Sequence, residues 1–116
     1  MSQPFVLLIS DDLFFGSRIT PAAQPAGISI ATDQNGSLAR INDDDCIGVL
    51  FDLEHKTITP AAVAAAVTDS ATRLVAYGPH VHATLFAAAR ASGFDTVTRG
   101  QLDRDTVGIL RSFVTA

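Results

Sequence analysis

Two apolar runs in this chain end on carboxylates. Val6-Leu7-Leu8-Ile9 passes into Ser10-Asp11-Asp12, and Ile47-Gly48-Val49-Leu50-Phe51 passes into Asp52. A short, continuous apolar run that stops at a turn reads as a strand buried on both faces, as in a parallel sheet. In an open α/β sheet, ligands bind beyond the carboxyl ends of the strands, where the strand order reverses. If the two runs are neighbours, Asp11, Asp12 and Asp52 converge at that edge and repel one another. Carboxylates so close need a cation or a shared proton. The expected chemistry is that of a small acidic pocket that takes Mg2+.

The stretch Gly78-Pro79-His80-Val81-His82 is the second place where residue types suggest chemistry. Two imidazoles one residue apart could hold a transition metal, with His55 or a carboxylate completing the site. Residues two apart on a helix face different ways, however, and no Cys accompanies them. An interfacial or capping role for His80 and His82 is the stronger expectation. There is no glycine-rich phosphate loop, no G-x-S-x-G elbow and no H-E-x-x-H pair, the patterns that carry several common enzyme chemistries. Ser10 and Ser17 have no evident base. Independent enzymatic turnover is not expected.

The elements that must position these residues alternate. Strand candidates are Phe5–Ser10, Gly27–Ala31, Cys46–Asp52, Thr72–Tyr77 and Phe94–Thr98. Helix candidates are Leu13–Thr20, Gly36–Ile41, Pro60–Thr68, Val81–Ser92 and Leu102–Val114. Such alternation indicates βα units and a parallel sheet with helices on both faces. Thr59-Pro60 places a capping hydroxyl before a proline at the first helical position, and Gly93 sits where a helix needs a left-handed C′ residue. Asn35-Gly36 is a turn signal, and Asp103 or Gln101 is the expected cap of the last helix. Five such units fit the flavodoxin-like strand order 2-1-3-4-5, in which the first and third strands are adjacent.

Composition sets the outer bounds. A length of 116 residues suits one domain, residues 1–116, with no output domain attached. Eight basic against twelve acidic residues give a net charge of −4, which argues against a nucleic-acid surface. The single Cys46 opens an apolar run and reads as a buried thiol; one cysteine permits no disulfide within the chain, which suits a reducing compartment. No run approaches the roughly 20 apolar residues of a membrane span, and Met1-Ser2-Gln3-Pro4 has no basic leader pattern. A cytoplasmic location is the default expectation.

Taken together, the chain resembles a receiver domain of two-component response regulators, of the CheY-like type. The resemblance runs over nearly the whole length. It is carried by Asp11-Asp12 after Leu7-Leu8-Ile9-Ser10, by Leu13-Phe14-Phe15-Gly16-Ser17-Arg18-Ile19, by Val49-Leu50-Phe51-Asp52, and by Ala87-Ala88-Ala89-Arg90-Ala91-Ser92-Gly93-Phe94-Asp95. It implies that Asp11 and Asp12, with Asp52, hold Mg2+ and that Asp52 accepts a phosphoryl group from a histidine kinase in a phosphorelay. Mg2+ suits a few carboxylates together with waters and phosphate oxygens, and it neutralises charge on the transferring group.

Two positions depart from that family's pattern. Its fourth strand ends in Ser or Thr, whereas Ala76-Tyr77-Gly78-Pro79 puts Gly78, or else Tyr77, there. Its fifth strand ends in Lys-Pro, whereas this chain has Arg99-Gly100; a guanidinium contacts phosphate but is not an ammonium point charge. The expectation is therefore an atypical receiver-like signalling module, acting through protein contacts, with an acidic pocket and an impaired phospho-switch. The alternatives are a functional phosphoacceptor at Asp52, or a small-molecule or metal-binding flavodoxin-like module using the Gly78–His82 loop.

Plainer roles stand beside these. Asp11-Asp12 could cap the first helix, Asp52 could be a solvated turn acid beside Glu54 and His55, and Arg99 could pair with a pocket acid. The expected partners are a histidine kinase or a downstream signalling protein, or a second copy in a homodimer. The contact face would comprise the helix after Gly78, the last strand and the last helix, with His80, His82, Arg104 and Arg111 as its polar members. Phe94, Leu102 and Leu110 on those elements are read as core.

Overall fold

The computed structural model describes residues 3–33 and 36–114. Five parallel strands form one sheet in the order β2-β1-β3-β4-β5. They are β1 (Phe5–Ile9), β2 (Ser29–Asp33), β3 (Cys46–Asp52), β4 (Arg73–Gly78) and β5 (Asp95–Thr98). The helices are α1 (Leu13–Ala23), α2 (Pro60–Ala66), α3 (Ala83–Ala91), α4 (Arg99–Arg104) and α5 (Thr106–Arg111). The order is the flavodoxin-like one, and β1 and β3 are neighbours.

Every residue of β1 is buried because both of its faces are covered. Successive side chains alternate between the faces. Leu7, Ile9, Val49 and Phe51 pack with Val63, Phe86 and Ala89 of α2 and α3. Val6, Leu8, Leu50, Val75 and Tyr77 pack with Phe15, Ile19, Leu102 and Leu110 of α1, α4 and α5. Gly48 is required on the second face: a Cβ there would overlap the Phe113 ring and the Arg73 carbonyl.

Among its described residues the connection from β2 to β3 has no helix, contrary to the expectation for Gly36–Ile41. The Leu38 backbone is left-handed, with φ 56°, a conformation closed to a right-handed helix. The Asp33 carboxylate takes the Leu38 amide at 2.8 Å. Asn42 ties the segment to the end of α2 through the Ala66 carbonyl (2.8 Å) and the Thr68 amide (3.0 Å). Ile41 and Leu38 cover the sheet where a helix would have lain. Gly36 has the positive φ of a turn, 67°; Asn35 of the same turn signal lies outside the described residues.

The expected final helix is two. Thr98 caps α4, and its partner Gln101 closes a reciprocal capping box. Asp105, in a non-helical conformation, ends α4 and caps α5 through the Gly108 amide. Gln101 is thus the third residue of a helix, not its cap, and Asp103 caps nothing. Elsewhere the boundaries move by a turn or less: α1 continues through Pro21 to Ala23, β2 starts at Ser29, and α3 starts at Ala83. The seven residues of α2 are too few to be stable alone. The Thr59 cap on the Ala62 amide (3.2 Å) and the burial of Val63 hold it.

Candidate functional site

The pairing of β1 with β3 sets Ile9 beside Phe51, and that of β3 with β4 sets Asp52 beside Tyr77. One residue beyond Ile9, Ser10 is level with Asp52. Ser10, Asp52 and Tyr77 therefore form a row across three adjacent strands, all turned to the face covered by α1 and α5. All three are buried, Asp52 being only 6% exposed.

Hydrogen bonds within the chain engage each acid of the edge. The Ser10 hydroxyl donates to Asp52 Oδ2 at 2.8 Å, and the Glu54 amide donates to Asp52 Oδ1 at 2.9 Å. Asp11 points away from Asp52. Its Oδ2 accepts the Lys56 amide at 2.9 Å, and its Oδ1 lies 3.4 Å from His55 Nε2. Asp12 is the N-cap of α1: its Oδ1 accepts the Phe14 and Phe15 amides at 3.1 and 3.2 Å, and its Oδ2 lies 3.7 Å from an Arg99 nitrogen. The capping role expected of the acidic pair belongs to Asp12, and Arg99 does pair with a pocket acid.

The three acids expected to share Mg2+ thus reach the same edge but are aimed apart. Among the described residues no three His, Cys, Asp or Glu side chains stand so as to hold a metal ion. As placed, this donor set does not fit Mg2+. The same holds for the histidine loop. His82 lies 3.6 Å from Glu54, while His80 is exposed and lines a cavity with Arg90, Thr96 and Gln101. His82 occupies the N-cap position of α3, but its side chain makes no capping bond.

Of the two residues left open at the end of β4, the register selects Tyr77. Gly78 lies one residue further on, packed against Leu53. The Tyr77 ring packs tilted against Phe15 at 4.9 Å, and the Arg99 guanidinium lies over both rings, 4.2 Å from that of Phe15 and 5.7 Å from that of Tyr77. The Tyr77 hydroxyl is buried and makes no hydrogen bond of ordinary length, its polar neighbour being the Ser10 hydroxyl, and Arg99 Nε likewise makes none. Burial first, and then the Asp52 carboxylate, push the phenol well above its usual ionisation range. Arg99 is the first residue of α4 rather than the last of β5, which brings it back over α1.

His55 and Ser10 are the site residues that sequence reasoning undervalued. His55 Nδ1 accepts the Thr57 and Ile58 amides at 3.2 and 3.1 Å, so its buried ring organises the loop that follows β3. A histidine two and three residues before amides at a strand end is a weak signal. Ser10, for which no base was evident in the sequence, donates its hydroxyl to Asp52. Cys46 lies at the opposite edge of the sheet, where burial raises its thiol; it is the inert thiol expected.

No known family model matches the sequence, and no curated protein matches it. Solved structures do. A signal receiver domain of a response regulator from Bermanella marisrubri superposes with TM-score 0.79 at 12% identity, over 98% of this chain and 100% of that one. CheY4 of Vibrio cholerae, a chemotaxis response regulator, gives 0.71 at 15% identity, over 94% and 99%. The chain has the receiver-domain fold. Full-length FixJ from B. japonicum matches with TM-score 0.76 at 13% identity over 98% of this chain, which spans only 59% of the FixJ chain. Within the receiver fold, the place at the end of β4 where the family's Ser or Thr was expected carries a buried tyrosine. Among the described residues, no helix is long and apolar enough to cross a membrane.

Proposed function

We propose that this protein is a receiver-like signalling module that acts through protein contacts and has lost the ordinary phospho-switch. One observation carries this reading: Asp52, at the end of β3, is bonded to Ser10 on one side and faces the Tyr77 ring on the other. A switch of the usual kind needs a carboxylate free to take a phosphoryl group and a small hydroxyl that can move toward it. Here the carboxylate is engaged. Moving the Tyr77 ring would break its contact with Phe15 and open a cavity in a close-packed core, at a cost of about 3–5 kcal/mol.

The partners that fit are a kinase, a downstream signalling protein or a second copy of the chain. The flank formed by α3, β5 and α4 supports a contact role. Two cavities there share Val97 and Gln101; Arg90 lines one and Arg104 the other. Neither arginine has a carboxylate partner among the described residues, whereas Arg18, Arg40, Arg73 and Arg99 do. Phe94, Leu102 and Leu110 are buried, so the polar members form this face.

The test is NMR with Mg2+ and beryllofluoride, which mimics an aspartyl phosphate. The expected result is an unchanged spectrum. A saturable change centred on Asp52 and extending to Tyr77 and Arg99 would establish the phosphoacceptor alternative instead.

A further inference from the structure

We infer that Ser10 is the residue that frees this pocket from a divalent cation, and that a carboxylate at position 10 would draw a cation to Asp52. The inference rests on the reading of Asp52 as the centre of a receiver-like pocket. It goes further by assigning the pocket's metal dependence to one side chain.

The register decides which β1 residue faces Asp52. Ile9 pairs with Phe51, so the next residue, Ser10, is level with Asp52 and on the same face of the sheet. Asp11, one residue on, turns outward to the loop after β3, where the Lys56 amide and His55 engage it. Asp12 serves the first turn of α1. The acidic dipeptide that the sequence advertises is thus displaced by one position from the point where a second carboxylate would meet Asp52.

Serine at that point replaces electrostatic neutralisation with a hydrogen bond. Two facing carboxylates repel one another until a cation or proton is bound. A hydroxyl facing a carboxylate requires neither. The Ser10 hydroxyl also accepts the Asp12 amide at 3.0 Å, so the same atom ties the β1–α1 turn to the end of β3. Asp11 and Asp12 are engaged by other groups, and among the described residues no three His, Cys, Asp or Glu side chains stand so as to hold a metal ion. Mg2+ is held in proteins by one or two carboxylates with several waters, and it dehydrates reluctantly. A single buried carboxylate already bonded on both oxygens offers it little.

The test is a titration with Mn2+ alone, read by water-proton relaxation and by thermal shift, on wild type, Ser10→Asp, Ser10→Ala and Ser10→Asp/Asp52→Asn. Wild type and Ser10→Ala are expected to show no saturable binding at millimolar Mn2+. Ser10→Asp should bind about tenfold or more tightly than wild type and be stabilised by the ion, and adding Asp52→Asn should abolish the gain. Saturable binding by the wild type that Asp52→Asn removes would overturn the inference. So would a folded Ser10→Asp protein with no gain. Should that variant not fold, Ser10→Ala decides: metal binding there would mean that the hydroxyl merely obstructs a complete site. Because no beryllofluoride is present, a wild type that binds Mn2+ yet ignores beryllofluoride overturns only this inference, while a response to beryllofluoride overturns the reading of the lost switch.

Discussion

The carboxyl edge between β1, β3 and β4 and the flank around β5 treat charge in opposite ways. At the edge, Asp11, Asp12 and Asp52 each spend both oxygens on amides, a hydroxyl, an imidazole or a guanidinium of the same chain. On the flank, Arg90 gives one nitrogen to Thr96 at 3.1 Å, and neither it nor Arg104 has an acid partner among the described residues. A site that must receive a charged ligand keeps groups in reserve; one whose groups are satisfied internally is a structural junction. By that criterion the groups of the pocket serve the framework, and on the proposed reading it is the flank that binds. In an acidic chain of net charge −4, two cations on one flank without an acid partner among the described residues favour a binding partner that presents carboxylates there.

The largest expected effect follows from Tyr77. If the pocket is framework, Tyr77→Ala should cost about 3–5 kcal/mol in urea unfolding, the range for emptying a buried aromatic site. Tyr77→Phe keeps the ring and removes only a hydroxyl whose contact with Ser10 is long, so it should cost no more than about 1 kcal/mol. A large loss in Tyr77→Phe would mean that the hydroxyl does bond within the pocket.

Asp52→Ala comes next. It leaves the buried Ser10 hydroxyl and the Glu54 amide without their acceptor, a loss of about 1–3 kcal/mol. An Asp52 kept free for chemistry would show the reverse, since removing an unsatisfied buried carboxylate stabilises. Stability measured by chemical denaturation at neutral pH separates the two.

Alkaline pH probes the same junction more gently. The Tyr77 phenol ionises at higher pH folded than unfolded, so the unfolded chain loses its proton first, from about pH 10. Its contribution is complete below that pH and declines as pH rises through the window between the two values, by up to about 1.4 kcal/mol per pH unit. The wild type should therefore lose stability above about pH 10 more steeply than Tyr77→Phe. Tyr77 is the sole tyrosine, so tyrosinate absorbance reports it directly; ionisation of the folded protein at an ordinary phenol pH would contradict its burial.

The flank should give the smallest change in stability. Arg90→Glu with Arg104→Glu should leave unfolding within about 0.5 kcal/mol of wild type, as for surface positions. The same pair should weaken self-association or capture of a partner, read by analytical ultracentrifugation and pull-down. Unchanged association would move the contact surface elsewhere.

Much of this was legible in the residues. Continuous apolar runs separated by alanine-rich helical segments required a parallel sheet, because only a strand covered on both faces is apolar throughout. The observed strand order follows. Thr59 before Pro60 capped a helix as read, and Asp52 ended its strand. These are local properties, set by periodicity and by the stereochemistry of single residues. The absent helix before β3 was less legible, because the Asp33 carboxylate and Asn42 claim backbone groups across gaps of 5, 24 and 26 residues. Whether Ser10 or Asp11 meets Asp52 was not local at all. Side chains alternate with period two, so a shift of one residue between neighbouring strands exchanges the face that each presents. Only the packed sheet fixed that shift. It put a hydroxyl where the sequence offered a carboxylate, and a phenol on the strand position beside the acid.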